Sequence, residues 1–246
     1  MTANIWLPYR RPSASARLRL FCFAHAGGSA GFFTSWAGLL PHDVELCAVE
    51  LPGRGARIRD APFRRMDDLM AALQPALRPL FDMPVAFFGH SMGASVAYES
   101  ARHLASDCGR SPVRLFVSSR AAPGGAPGRH RIHDLPDREL LGVLRRLQAT
   151  PSDVLDNAEF MAVLLPAVRA DFELLETYAG SASPVLDCPI SAFGGDDDPA
   201  VDEAGLEAWA GRTRGPFSLR LFPGGHFYLN PMRRAVIDEI RRALGL

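Results

Sequence analysis

The chain has 246 residues, 48% of them hydrophobic, enough to bury one sizeable core, and an α/β chain of this length is commonly a single domain over residues 1–246. Its 27 basic and 27 acidic residues cancel, leaving no overall field for nucleic acid or an anionic membrane; because every basic residue is arginine, a catalytic lysine or Schiff base is excluded. No run approaches a membrane span, no signal-peptide layout opens the chain, and Cys22, Cys47, Cys108 and Cys188 fit neither metal nor redox spacing, so a cytoplasmic protein with reduced thiols is expected.

Residues 1–16 read as a tail. Residues 17–24 alternate and then turn wholly apolar, which predicts a strand entering a buried parallel sheet. A glycine-rich loop follows at 25–31. It lacks both the G-x-x-x-x-G-K-[ST] and the GxGxxG spacing, so an exposed backbone N–H serving an oxyanion suits it better than a phosphate cradle. Residues 32–40 predict a helix ending before Pro41, and 44–49 a strand closed by the turn at 51–55. From Met66 to Leu80 apolar residues recur at three and four, predicting an amphipathic helix that Pro75 and Pro79 kink or shorten.

Next come the apolar run Val85, Ala86, Phe87, Phe88 and the string Gly89-His90-Ser91-Met92-Gly93, then small, helix-forming residues. Gly-x-Ser-x-Gly between a strand and a helix is the layout of a nucleophile elbow: a turn too tight for side chains on either side of Ser91 lifts its Oγ clear of the sheet, and the Met92 N–H points to the same spot from a helix N-terminus. Residues 112–119 predict another strand. Repeated β-α-β order argues a mostly parallel central sheet flanked by helices, with the active site at the strands' carboxyl ends.

Between residues 124 and 185 the rhythm changes to helices, around 137–147 and 160–178, with no convincing strand. Roughly 60 strandless residues rich in leucine at helical spacing predict an inserted helical lid over the serine, a structural appendage being the plainer alternative. The sheet resumes at Pro189 and runs into Asp196, Asp197 and Asp198, either a solvated turn, a metal loop or the place of a triad carboxylate. Arg220, Leu221 and Phe222 end a last strand at Gly224-Gly225-His226, and a helix runs from Asn230 or Pro231 to Leu244. The ordered set Ser91, Asp198, His226 has the chain order of the α/β-hydrolase fold, with His226 as the base, Asp198 holding its tautomer, and the Met92 and Ala26 amides as oxyanion donors.

Five blocks resemble the type II thioesterases, the stand-alone editing hydrolases of polyketide and non-ribosomal peptide synthesis. They are Phe23 to Ala30; Leu51-Pro52-Gly53-Arg54-Gly55-Ala56-Arg57; the elbow; Leu165 to Phe172 with Glu176-Thr177-Tyr178; and the two glycine turns ending in Asp198-Pro199 and His226-Phe227-Tyr228-Leu229. The resemblance runs nearly end to end, and its lid block is foreign to generic hydrolases. It implies Asp198 as the triad aspartate and, as substrate, an acyl thioester on the 4'-phosphopantetheine arm of an acyl or peptidyl carrier protein, with no cofactor or metal, no nucleic acid or membrane partner, and a monomer. Acidic carriers suit an arginine patch, for which Arg54, Arg57, Arg59, Arg64 and Arg65 are the candidates, unless they are simply solvated. A general carboxylesterase, a medium-chain fatty acyl thioesterase and a non-catalytic binder of the same fold are the rival readings. A chain-releasing cyclase is expected at the end of a megasynthase, whereas this chain begins at Met1.

Overall fold

In the computed structural model, residues 4–124, 131–147, 152–180 and 185–246 are described; the parts of the 124–185 insertion at 125–130, 148–151 and 181–184 lie outside them. The most apolar runs form six strands: β1 (Leu18–Phe23), β2 (Val44–Val49), β3 (Val85–His90), β4 (Arg114–Ser118), β5 (Ile190–Gly195) and β6 (Phe217–Phe222). They pair in parallel in the order β2-β1-β3-β4-β5-β6. Strand order reverses between β1 and β3, the position where open α/β sheets bind ligands. The register aligns Phe23 with both Val49 and Gly89, and His90 with Ser118. The segments leaving β1, β2, β3 and β4 therefore open on one rim.

Alternation sorts the strand side chains onto two cores. Phe21, Phe23 and Phe87 face α1 (Met66–Leu77) and α2 (Met92–Cys108); Leu20, Cys22 and Phe88 face Phe33, Trp36 and the final helix. The first helix runs through Pro75 and stops at Leu77, ahead of Pro79, tightening to a 3₁₀ turn over Arg78–Leu80; the shortening that the sequence predicts comes at Pro79 and not at Pro75. The segment after the glycine-rich loop departs from expectation. It is a 3₁₀ helix over Ala30–Trp36 rather than an α-helix at 32–40, a form in which Phe33 and Trp36, three apart, eclipse one another on the buried side.

Between β4 and β5 the described residues hold no strand. They form a 3₁₀ turn at Ile132–Asp134, α3 (Asp137–Leu147), α4 (Ser152–Leu155) and α5 (Ala158–Thr177), the last capped by the Asn157 side chain accepting Phe160 N–H at 3.0 Å. These helices bury a cluster of their own, Leu140, Leu144, Leu155, Met161, Leu165, Val168 and Phe172, against which Ala26 packs. The short α6 (Glu203–Glu207), which the sequence pattern misses, is set by the Asp202 side chain accepting Gly205 N–H at 2.8 Å. The last helix, α7, starts at Arg233 rather than 230–231 and ends at Leu244, because Tyr228 and Leu229 are buried in the turns that carry His226. Among the described residues no helix is long and apolar enough to cross a membrane, and all four cysteines are free.

Candidate active site

The elbow is enforced by backbone contact. A Cβ on Gly89 would lie 2.0 Å from Gly93 O, and one on Gly93 would lie 2.0 Å from Phe23 O, so no larger residue fits either position. Ser91 between them takes φ 55°, ψ −118°, a strained conformation for a residue with a side chain. The strain is held by Ser91 N–H donating to Ser118 O at 2.8 Å and Ala94 N–H donating to Ser91 O at 3.0 Å. Ser91 makes no capping bond at the start of α2, which leaves its Oγ free.

His226 stands across from it. Its Nε2 is 3.0 Å from Ser91 Oγ, and its Nδ1 is 3.0 and 2.9 Å from the two Asp198 oxygens. Burial would raise the Asp198 carboxyl, but the His226 N–H and the Ala200 and Ser119 donors outweigh it and hold the group below its ordinary value. Asp198 is thus an acceptor only, so Nδ1 carries the proton and Nε2 accepts from the Ser91 hydroxyl. The neighbouring aspartates do other work. Asp196 and Asp197 are exposed, Asp196 Oδ1 accepting Gly224 N–H at 2.8 Å to brace the histidine turn. No group of three His, Cys, Asp or Glu among the described residues is arranged to hold a metal ion.

Comparison with known proteins places the chain in a family. The thioesterase domain profile matches residues 18–244. The chain is 38% identical over 243 residues to the gramicidin S biosynthesis protein GrsT of Aneurinibacillus migulanus, covering 99% of this chain and 95% of that one. It is 38% identical over 239 residues to thioesterase PikA5 of Streptomyces venezuelae, with 97% and 85% covered. The type II thioesterase BorB from the borrelidin cluster superposes with a TM-score of 0.88 at 41% identity, 95% of each chain being covered. The chain belongs to the thioesterase family.

In this thioesterase the other two sequence-predicted positions lie on the same rim. Met92 N–H opens the first turn of α2, where no preceding helical carbonyl accepts it. Ala26 lies in the loop after β1, and the contact of Gly93 with Phe23 O sets the start of α2 against the end of that strand. Two further histidines, which the sequence does not single out for a role, pack beside His226. The His90 ring is centred 5.3 Å from that of His226, and His25 lies edge-on to Phe32 at 5.0 Å and to Phe227 at 4.6 Å. Burial brings the His25 ring down to about 3 and the His90 ring well below its ordinary value, with charge on His226 acting in the same direction, so both stay neutral near His226. His90 Nδ1 meets Ser118 Oγ at 2.9 Å, and Ser118 Oγ meets Tyr228 OH at 2.7 Å, a buried chain beneath the elbow.

The arginine candidates separate. Arg54 is buried and cannot meet a partner: it is doubly bonded to Asp171 of α5, at 2.6 and 2.8 Å. Arg57 is mostly covered, stacked 4.2 Å over the Trp6 ring and bonded to Asp60 at 2.7 Å. Arg64 is exposed but paired with Glu173, which leaves Arg59 and Arg65 as exposed positions. The Arg54–Asp171 pair is the feature the sequence hides. Its one signal is that Asp171, three after Val168 and one before Phe172, falls on the buried face of α5.

Proposed function

We propose that this thioesterase hydrolyses acyl groups from the phosphopantetheine arm of acyl or peptidyl carrier proteins, clearing stalled or aberrant chains in polyketide or non-ribosomal peptide synthesis. The observation that carries the reading is a strained serine whose Oγ is 3.0 Å from an imidazole nitrogen, with the opposite nitrogen on a buried carboxylate. Ser91 Oγ attacks the thioester carbonyl as His226 Nε2 takes its proton. The oxyanion is bound by the Met92 and Ala26 amides; the C–S bond then breaks and the imidazolium returns the proton to the departing sulfur. Water, deprotonated by the same imidazole, attacks the acyl-serine, and the C–O bond breaks to release the acid and regenerate Ser91. A thiolate leaves readily, so oxyanion stabilisation is the main demand and no cofactor is needed.

The helical insertion supports an acyl chamber. Its apolar cluster meets the site at Ala26, so a lid role over the serine accounts for both its composition and its place. Arg59 and Arg65 are the arginines proposed to meet an acidic carrier; reversing their charge raises KM for carrier-borne substrate and spares a small acyl thiol, and equal loss on both would remove the docking role. The deciding experiment compares one acyl group presented as a carrier-bound thioester and as a simple oxygen ester. Hydrolysis is expected to favour the carrier thioester and to vanish in Ser91→Ala together with the acyl-enzyme. Preference for the oxygen ester would make the protein a general esterase, and turnover by Ser91→Ala would overturn the nucleophile.

A further inference from the structure

The loop from His25 to Ala30 is held by carboxylates that arrive from far away in the chain. Gly27 N–H donates to Asp171 Oδ2 at 2.7 Å, across 144 positions, and Ala30 N–H donates to Glu50 Oε1 at 3.1 Å. Asp171 is 2% exposed and its partner Arg54 is 2% exposed. Arg54 is itself fixed, its Nε and Nη2 donating to Pro52 O at 3.2 and 3.1 Å, so the guanidinium fork meets the carboxylate in one orientation. Asp171 Oδ2 therefore serves two donors at once, a loop amide and the Arg54 Nη1.

The residue between these restraints is Ala26. On one side Gly28 N–H donates to His25 O at 2.9 Å, which orients the His25–Ala26 peptide and so directs the Ala26 N–H away from that turn. On the other side Asp171 fixes the next peptide through Gly27 N–H. Gly27 has φ 75°, and a Cβ there would lie 2.8 Å from Val168 Cγ2, so α5 is seated directly on the loop. We infer that Arg54 and Asp171 are positioning residues that set the direction of the Ala26 amide and make it depend on the seating of α5.

The physical reason is that the peptide plane carrying the Ala26 N–H is held at its own carbonyl by Gly28 and, through the peptide that follows it, by Asp171. If Asp171 loses its charge, Gly27 N–H and the Arg54 fork compete for a single neutral oxygen. The Arg54 guanidinium is then left buried without its counter-charge, and the loop relaxes toward it. A displacement of the order of 1 Å in an oxyanion donor costs up to about 10²-fold, and deleting one outright costs about 10²–10³-fold.

The inference rests on Ala26 being an oxyanion donor, so the test separates that from substrate identity. Asp171→Asn and Arg54→Lys are compared with the parent in three ways: kcat and KM on a short acyl thioester of a small thiol, the rate at which an alkyl fluorophosphonate labels Ser91, and thermal melting. Labelling needs the serine and the oxyanion amides but neither a thioester nor a carrier. Both variants are expected to lower kcat and labelling together, by about 10- to 100-fold, with KM within about twofold. Parental labelling in a folded variant overturns the inference, as does a loss confined to KM. If neither variant folds, the parent carries the test, since the Gly27 amide hydrogen must exchange as slowly as the α5 amides, and fast exchange overturns the clamp. A parent that labels cleanly yet leaves carrier thioesters intact refutes the proposed substrate and not the clamp.

Discussion

The elbow and the helical insertion meet at Ala26 and are stabilised by different physics. Around Ser91 the constraint is steric and made of backbone: two glycines where a Cβ would fall 2.0 Å from a carbonyl oxygen, a serine at φ 55°, and parallel strands in fixed register. The insertion has its own small apolar cluster and a handful of polar ties to the body: the Asp171–Arg54 pair, Arg64 with Glu173, and Tyr178 OH donating to Glu99 Oε1 at 2.6 Å. A backbone constraint tolerates no substitution and does not adapt. A cluster of leucines with a few ties can be repacked, a property that suits the acyl chamber proposed for the insertion.

Breaking the elbow is expected to have the largest effect. Gly93→Ala forces a methyl into Phe23 O, separates α2 from β1 and is expected to cost more than about 4 kcal/mol, read as a collapse of the urea midpoint or as insoluble protein. A soluble Gly93→Ala with parental stability would show that the contact relaxes cheaply. Next comes Asp198→Asn, which keeps the shape but favours the wrong imidazole tautomer; kcat is expected to fall about 10⁴-fold with stability nearly unchanged. Asp196→Asn, whose job is to accept one amide, still offers an oxygen to Gly224 N–H and is expected to stay within about tenfold of the parent. The reverse ranking would move the triad carboxylate.

The insertion is tested by Leu140→Ala, at a fully buried position of its cluster. The cavity costs about 2–5 kcal/mol, and the cost falls on the insertion. Amide exchange across α3 and α5 is expected to quicken by about thirtyfold or more while β3 stays protected, because the insertion opens without the sheet. Uniform acceleration over both would mean that the two regions unfold as one unit.

How much of this the sequence reveals follows the same divide. Ser91 and His226 are legible because each sits in a local pattern at the end of a strand, and chain order points to the acidic turn for the carboxylate; among its three aspartates it is the family resemblance that selects Asp198. The strands at Val44–Val49 and Val85–His90 and the helix at Asp137–Leu147 are legible because periodicity is also local. Arg54 and Asp171 are not. They are 117 positions apart, and arginine is ordinarily solvated, so a sequence places Arg54 on the surface where the structure buries it. The 3₁₀ helix at Ala30–Trp36 escapes for another reason: Phe33 and Trp36 satisfy α and 3₁₀ spacing alike, and the packing against Phe88 decides.

His25 sits where the two regions touch, and acid is the probe that reads it. Its ring is buried between Phe32 and Phe227, its Nδ1 has no hydrogen-bond partner among the described residues, and burial, with His226 and Arg54 nearby, brings it to about 3. In the unfolded chain a histidine takes up its proton near 6.5. Between those values the unfolded state binds a proton that the folded state refuses, so stability rises with pH through the window and is lost as pH falls from about 6.5 toward 3. At pH 5 the linkage amounts to about 2 kcal/mol relative to pH 7. His25→Phe keeps the edge-on aromatic contacts and removes the titration. Its urea midpoint is expected to trail or match the parent at pH 7 and to drop less between pH 7 and pH 5, the difference of the two drops being the His25 contribution. Equal drops in both proteins would mean that the folded ring takes up its proton near 6.5 like the unfolded one, so that at pH 5 a cation would stand in the same buried cluster as His90 and Phe227.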